Sequence, residues 1–203
     1  MPVQEGIFMI IFGSKVFIRQ IYFMDQLIEQ YKYPTGRFQP AETYTPKSLI
    51  QWIGAINSVP LLLDYCIENL DEAQLNTAYR PGGWTIIQVI HHIADSHMNA
   101  YIRTKLALTE DRPAIKPYDE NLWAELPDVK DVPLNVSITL VHALHRRWVS
   151  LLNHMKEEDW TREYYHPADQ IYVPLWQMVN MYSWHGKHHA EQILALRKRM
   201  NWK

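Results

Sequence analysis

The chain has 203 residues, of which 47% are hydrophobic and 21% are charged, and its formal net charge at pH 7 is -2. This composition is typical of a folded globular protein and excludes a disordered or fibrous chain. A charge this small also argues against binding to nucleic acid or to an anionic membrane. The single cysteine, Cys66, cannot form an intramolecular disulfide, so we expect a cytoplasmic protein with a buried, inert thiol.

The first 23 residues contain an apolar run, Ile7 to Phe12, that is too short to span a bilayer, which needs about 20 apolar residues. No basic segment precedes this run and no small-residue cleavage site follows it, so a signal peptide is also a poor interpretation. Met24 begins a segment with the character of an ordinary N-terminus. We therefore predict that residues 1–23 are an upstream or disordered extension and that residues 24–203 form one domain.

Four long helices are predicted after an extended arm from Tyr33 to Thr45. Thr45 is the expected N-cap of the first helix, and Pro60 is expected to kink or interrupt that helix. Thr85 and Gln88 form a capping-box pattern at the start of the second helix. The four helices are expected at about 46–70, 86–108, 134–154 and 174–200.

The connections between these helices also carry signals. The segment from Pro113 to Pro133 holds Tyr118 and Trp123, and its length indicates a lid or a wall of a binding site. Aromatic and β-branched residues from Tyr164 to Val173 predict a short β-hairpin. Together, the elements predict an all-α protein: an up-and-down four-helix bundle with an extended N-terminal arm and at most one small hairpin.

Of the ten histidines, two on the fourth predicted helix have the spacing of a metal site. His185 and His189 lie four residues apart on the apolar face, so both rings can reach one ion at about 2.0–2.1 Å. His188 lies on a different face. Gly186 costs the helix roughly 0.5–1 kcal/mol relative to alanine, which predicts that a neighbouring helix approaches closely at this residue.

A third metal ligand is expected from the second helix, because catalytic zinc sites usually use three protein ligands and leave one position for water. His91, His92 and His97 are all candidates, and the apolar periodicity of the helix does not decide among them. Asp95 is a candidate to accept the second ring N–H of a ligand histidine or to hold the bound water. No general acid or base is predicted.

The other polar and aromatic residues are interpreted structurally. His142 and His145 lie three residues apart on the third helix with no further histidine beside them. Arg103 and Lys105 could bind an anionic substrate, but a solvated helix face is the preferred interpretation. The histidines assigned to the core or surface are His142, His145, His154 and His166, and the aromatic residues assigned to the core or a pocket wall are Trp84, Trp123, Tyr182 and Trp184.

Several segments together resemble the YfiT-like branch of the DinB superfamily, whose members are described as metal-dependent hydrolases. They are YPTGRF at 33–38, YRPGGWTIIQVIHHIADSHMNAYIRTKLALTED at 79–111, IKPYDENLWAEL, LHRRW, YYHP and YSWHGKHHAEQI. The resemblance covers about Tyr33 to Trp202, and residues 1–23 have no counterpart in it. It implies a homodimer of four-helix bundles, with one divalent ion per chain, zinc or else nickel, bound by His92, His185 and His189.

The resemblance implies hydrolysis of an unknown small molecule, with the metal activating water. Other members of the superfamily look like metal-dependent S-transferases for low-molecular-weight thiols, and no sequence feature separates the two reactions. A non-enzymatic stress-response protein with a structural metal is a third alternative. Structural zinc sites usually have four protein ligands, commonly including cysteine, so the lone Cys66 argues against it.

Overall fold

The computed structural model describes residues 24–203. The extension predicted at 1–23 lies outside the described residues. Helical residues 24–32 form α1. The remaining elements, in chain order, are α2 (Pro46–Ile67), α3 (Glu72–Leu75), α4 (Ile86–Thr109), α5 (Glu120–Trp123), α6 (Pro127–Asp131), α7 (Leu134–Asn153), the 3₁₀ turn η1 (Glu157–Thr161), β1 (Glu163–His166), β2 (Ile171–Pro174) and α8 (Leu175–Met200).

The first two long helices begin at the residues that the capping signals predicted. At the start of α2, the Ser48 backbone N–H donates to Thr45 Oγ1 at 3.1 Å, and the Thr45 backbone N–H donates to Ser48 Oγ at 2.8 Å. Thr85 and Gln88 make the same reciprocal pair at the start of α4. Each pair gives partners to backbone donors that a helix N-terminus otherwise leaves unpaired.

Helix α2 continues without a break past Pro60, so the predicted interruption is wrong. The proline ring is buried with the rest of the helix's inner face. Proline has no backbone N–H, so the carbonyl of Ile56, four residues earlier, receives no helical hydrogen bond from residue 60. The long helix therefore carries one buried acceptor that must find a partner elsewhere.

The four long helices form a bundle in which α2 and α4 each pack against both α7 and α8. Consecutive long helices, α2 with α4 and α7 with α8, therefore occupy diagonal positions, unlike the simplest up-and-down bundle, in which they are neighbours. Long connections at 68–85 and 154–174 allow the chain to cross the ends of the bundle. The predicted four-helix bundle and its short hairpin are confirmed, and this order of neighbours brings α4 against α8.

The hairpin and the long connection pack together beside the bundle. Strands β1 and β2 are antiparallel with Tyr164 opposite Val173, and Ala114 pairs with Tyr165. The connection at 110–133, expected to be irregular, contains the short helices α5 and α6. Asp119 stabilises the start of α5, because its carboxylate accepts from the backbone N–H groups of Asn121 and Leu122.

Two apolar clusters fill the bundle, one above the other along its axis. The first includes Ile56, Ala100 and Trp148, and the second includes Val59, Ile90 and Ile193. Along the helices, a layer of buried histidines, His97, His145 and His189, lies between them; His188 and Gln192 are buried as well. Buried polar atoms need hydrogen-bond partners, so this layer has to be satisfied within the protein.

By length and composition alone, α2 could cross a membrane. The core helices of helical bundles often have the same length and apolar composition. Its apolar stripe, which includes Leu49, Ile56 and Leu63, is buried in this structure, and the helix packs against α7 and α8. The apolar character of α2 is thus explained by its place in the bundle.

Candidate metal centre

The structure brings together three histidines from two helices: His92 on α4, and His185 and His189 on α8. One ring nitrogen from each lies within 4.8 Å of the corresponding nitrogens of the other two. The Nε2 atoms of His92 and His185 are 3.3 Å apart. The i,i+4 spacing places His185 and His189 one turn apart, and the packing of α4 against α8 adds His92.

These nitrogens have the chemistry and spacing that a divalent transition metal requires. Two ligands at about 2.0–2.1 Å from one ion in tetrahedral geometry are separated by roughly 3.3–3.4 Å. The 3.3 Å separation of His92 Nε2 from His185 Nε2 falls at this value. Three imidazoles suit zinc, nickel, copper or iron, so the residues fit such an ion.

Burial holds all three rings in the neutral form that binds metal. It lowers the pKa of His92 and of His185 well below the usual value of 6.5, and the neighbouring histidines lower both further. Burial also lowers the pKa of His189 to about 4, although the hydrogen bond that His189 Nδ1 donates to Gln192 Oε1 opposes the change. At neutral pH each ring therefore has an unprotonated nitrogen available for coordination.

The cluster lies at the wall of a pocket of about 510 Å³. The ring of Trp84 lies 4.7 Å from that of His92, centroid to centroid, and shields one side of the histidines. The long connection before α7 contributes Tyr118, Glu120 and Asn121, which confirms that this segment is a wall of the site. Other lining residues are Lys32, Tyr33, Tyr79, Arg80, Gly82, Gly83, Ser96, Trp184, His188 and Gln192.

Asp95 does not join the cluster. Within residues 24–203, its carboxylate makes no hydrogen bond to His92, His185 or His189. Burial, with a smaller effect from the charge of Asp128, raises the pKa of Asp95 to about 6. The suggested role of Asp95 in orienting a ligand histidine is thus not supported by its position.

The other two histidine candidates on α4 point elsewhere. His91 turns toward α7, where its Nδ1 lies 2.7 Å from Ser137 Oγ. His97 is fully buried, and its Nε2 lies 3.1 Å from Nδ1 of His185. His97 is therefore a neighbour of the cluster without being part of it.

Sequence reasoning missed the part that His97, His145 and Gln192 play around the cluster. His145 has a histidine beside it after all, because its Nε2 lies 2.9 Å from His97 Nδ1 on the adjacent helix. Gln192 Oε1 lies 2.9 Å from His189 Nδ1. The spacing of Gln192, three residues after His189, was a local signal; the pairing of His97 with His145 was not visible in either helix alone.

Arg103 and Lys105 do not line the pocket. Lys105 is exposed, as expected for a solvated helix face, but Arg103 is nine-tenths buried, so that interpretation is wrong for it. The Arg103 guanidinium lies near the hydroxyls of Tyr164 and Tyr182. Burial raises the pKa of both tyrosines, and the positive charge of Arg103 opposes the rise.

These features define a class: a four-helix-bundle protein with a three-histidine cluster of metal-binding geometry beside a pocket. The chain belongs to the DinB superfamily, whose profile matches residues 59–193. The family suggested by the sequence motifs is thereby confirmed.

Proteins of similar sequence are named as metal-dependent hydrolases. The chain is 49% identical over 171 residues to a protein of Bacillus pumilus (strain SAFR-032) named "Putative metal-dependent hydrolase", which covers 84% of this chain and 97% of that protein. A protein of the same name from Geobacillus thermodenitrificans (strain NG80-2) is 44% identical over 175 residues, covering 86% and 98%.

A solved structure also matches, that of YfiT from Bacillus subtilis. Its TM-score is 0.83 at 42% sequence identity, and the match covers 86% of this chain and 99% of that chain. YfiT is described as "a probable metal-dependent hydrolase with an unusual four-helix bundle topology".

Proposed function

We propose that this protein is a hydrolase that depends on one divalent metal ion held by His92, His185 and His189. The observation that carries the proposal is the convergence of three neutral imidazoles, from two helices, on one point beside a pocket. The names of its relatives agree with this class of activity. Zinc is the expected metal and nickel the second choice.

The chain's own residues would bind and shield a small substrate. A divalent ion bound there would supply a Lewis acid and lower the pKa of water toward neutrality. Trp84 and Trp184 form apolar walls, whereas Lys32, Arg80 and Glu120 offer charged contacts near the histidines. No side chain is proposed as the nucleophile.

A purely structural metal is the weaker alternative. Structural zinc sites are usually closed by four protein ligands. The cluster found within residues 24–203 has three, and it opens on a pocket. Cys66 lies elsewhere in the core, with its Sγ 3.5 Å from the carbonyl oxygen of Ala190. A site with a free position is the arrangement that catalysis needs.

The first experiment measures bound metal in protein prepared without a histidine tag. We expect about one zinc or nickel ion per chain by mass spectrometry, and loss of that ion in His92→Ala and His185→Ala. His91→Ala is the matched control, because His91 is adjacent in sequence but turned toward Ser137. Absence of metal from the wild type after reconstitution with both metals would exclude the proposed function.

A second experiment separates hydrolysis from thiol transfer, the alternative reaction of this superfamily. The metal-loaded protein is offered chromogenic esters and anilides without thiol, and separately an electrophile with a low-molecular-weight thiol. Turnover without thiol, lost in His92→Ala, supports hydrolysis. Consumption of the electrophile only when thiol is present would replace hydrolase by S-transferase.

Three further expectations accompany the proposal. We expect the protein to form a homodimer, to act in the cytoplasm on a small molecule, and to bind neither nucleic acid nor membrane. Light scattering at two protein concentrations tests the oligomeric state directly. A monomer at both concentrations would contradict the first expectation without affecting the metal site.

A further inference from the structure

A chain of buried histidines links His185 to a backbone carbonyl on another helix. His185 Nδ1 lies 3.1 Å from His97 Nε2, and His97 Nδ1 lies 2.9 Å from His145 Nε2. His145 Nδ1 in turn lies 2.7 Å from the carbonyl oxygen of Ile56. The chain passes from α8 through α4 and α7 to α2, and so involves all four long helices.

The carbonyl of Ile56 is free to end this chain because of Pro60. In a regular helix, the carbonyl of residue 56 would accept a hydrogen bond from the N–H of residue 60. A proline at that position has no N–H to donate. His145 on α7 supplies the missing donor, so the buried acceptor is satisfied and the helix continues.

The carbonyl determines which nitrogen of each ring carries the proton. A carbonyl oxygen can only accept, so His145 carries its proton on Nδ1 and, as a neutral ring, has its lone pair on Nε2. His97 must then donate from Nδ1 to His145 and accept at Nε2. His185 donates from Nδ1 to His97, which leaves its lone pair on Nε2, the atom that faces His92.

A second chain of hydrogen bonds, which also ends at a backbone carbonyl, fixes the position of the proton on His189. Gln192 Nε2 donates to the carbonyl oxygen of Lys32, at the end of α1, over 2.8 Å. That contact orients the amide, because only its nitrogen can donate. Gln192 Oε1 therefore faces Nδ1 of His189 at 2.9 Å and must accept a proton from it. The lone pair of His189 is again on Nε2. The other amide hydrogen faces His188 Nε2 at 3.0 Å.

We infer that these two carbonyl-terminated chains hold His185 and His189 in the Nδ1–H tautomer before any metal arrives, and so present both Nε2 lone pairs for coordination. His97, His145 and Gln192 are thus positioning residues for the metal site. The inference rests on the proposed function for the presence of a metal. The tautomers themselves are a property of the metal-free protein and can be observed without it.

The test is nuclear magnetic resonance of metal-free protein labelled with ¹⁵N-histidine, in which long-range ¹H–¹⁵N correlations distinguish the two tautomers. We expect Nδ1–H for His185 and His189 in the wild type. His97→Leu removes the acceptor for His185, so its tautomer should become mixed. Zinc affinity, measured by competition with a chelator, should fall about 10–100-fold, the usual effect of losing the partner of a ligand histidine.

Matched variants separate positioning from simple packing. In His97→Gln, the amide oxygen can accept from His185 and the amide nitrogen can donate to His145, so both the tautomer and the affinity should recover. His91→Leu removes another buried ring from the same helix, outside either chain, and should leave both unchanged. Gln192→Met keeps the side-chain length without its hydrogen bonds, and should change the tautomer of His189 while leaving that of His185 unchanged.

The Nε2–H tautomer at His185 in the metal-free wild type would overturn the inference. Unchanged zinc affinity in both His97→Leu and Gln192→Met would do the same. If the expected tautomers are found but the wild type binds neither zinc nor nickel, the two hydrogen-bond chains are confirmed and the proposed function is wrong. The two proposals can therefore be tested separately.

Discussion

A Cβ atom added at Gly186 would lie 2.5 Å from Cγ2 of Val59. Real Cβ atoms essentially never approach a neighbour so closely, and Val59 is β-branched, with little rotamer freedom in a helix. The same Cβ would lie 3.4 Å from Cε1 of His97. Helices α2 and α8 are thus in contact at the level of the histidine layer, as the glycine predicted.

We predict that Gly186→Ala lowers the free energy of unfolding by about 1–3 kcal/mol, because the steric cost exceeds the gain in helix propensity. Gly54→Ala is the matched control: Gly54 also lies within a helix, but its added Cβ has nothing within 4 Å. That variant should be more stable by roughly 0.5–1 kcal/mol. Urea denaturation of both variants measures the two opposite effects.

A double variant tests the cause of the destabilisation. Val59→Ala removes the two methyl groups that the new Cβ would meet, so Gly186→Ala should cost much less in that background. Equal costs with and without Val59 would show that the contact is not responsible. Equal gains for alanine at positions 54 and 186 would contradict the prediction altogether.

Stability of the metal-free protein should fall steeply as the pH drops below 6.5. Burial lowers the pKa of His145 and His189 to about 4, and that of His188 to about 3. Between those values and 6.5, the unfolded chain binds protons that the folded chain does not, so acid favours unfolding. Each such histidine contributes up to about 1.4 kcal/mol per pH unit to the slope.

Urea midpoints measured from pH 7 to pH 5 provide the check. His145→Gln should reduce the slope by up to one proton, because a glutamine does not titrate. A stability that stays constant over this interval would mean that the buried rings become protonated in the folded state. Excess zinc should add to the acid sensitivity, since protons compete with the ion for the same nitrogens.

Asp95→Asn should stabilise the protein at neutral pH. Burial raises the pKa of this carboxyl to about 6, so the folded state releases its proton at a higher pH than the unfolded state. The contribution of Asp95 to stability, which opposes that of the buried histidines, therefore falls as the pH rises from about 4 to about 6 and is level above that. The asparagine variant has no carboxylate to ionise, so at pH 7 its free energy of unfolding should exceed that of the wild type by roughly 1 kcal/mol. The gain is small because the carboxyl of Asp95 is only half buried.

The prediction for Asp95 is checked by comparing the variant with the wild type at pH 4 and at pH 7. The difference in unfolding free energy should be small at the lower pH and larger at the higher one. A variant that is less stable at pH 7 would show that the Asp95 carboxylate makes a favourable interaction when charged. Zinc affinity should be unchanged, because Asp95 lies outside the cluster.

Cys66 should be unreactive in the folded protein. Its side chain is fully buried, and burial raises the pKa of the thiol to about 12, so almost no thiolate is present at neutral pH. A chromogenic disulfide reagent should therefore react at least about 100-fold faster in urea than under native conditions. Cys66→Ala should bind metal like the wild type. Rapid labelling of native protein would contradict the prediction.

Local patterns were sufficient for the parts of the fold that depend on neighbours in sequence. Thr45 with Ser48, and Thr85 with Gln88, mark helix starts because a capping box is made within four residues. Pro60 shows where such rules fail. A proline inside a helix predicts a break, yet α2 continues, since its inner face is buried and His145 satisfies the carbonyl that Pro60 leaves unpaired.

The sequence by itself determined the pairing of His185 with His189, because residues four apart on one helix share a face whatever surrounds them. It could not decide among His91, His92 and His97 without the resemblance to a family, since their placement depends on how α4 meets α8. Only the tertiary structure decided that His97 and His145, on different helices, meet in the core. Contacts between distant segments follow from the packing of whole helices, and no local pattern records them.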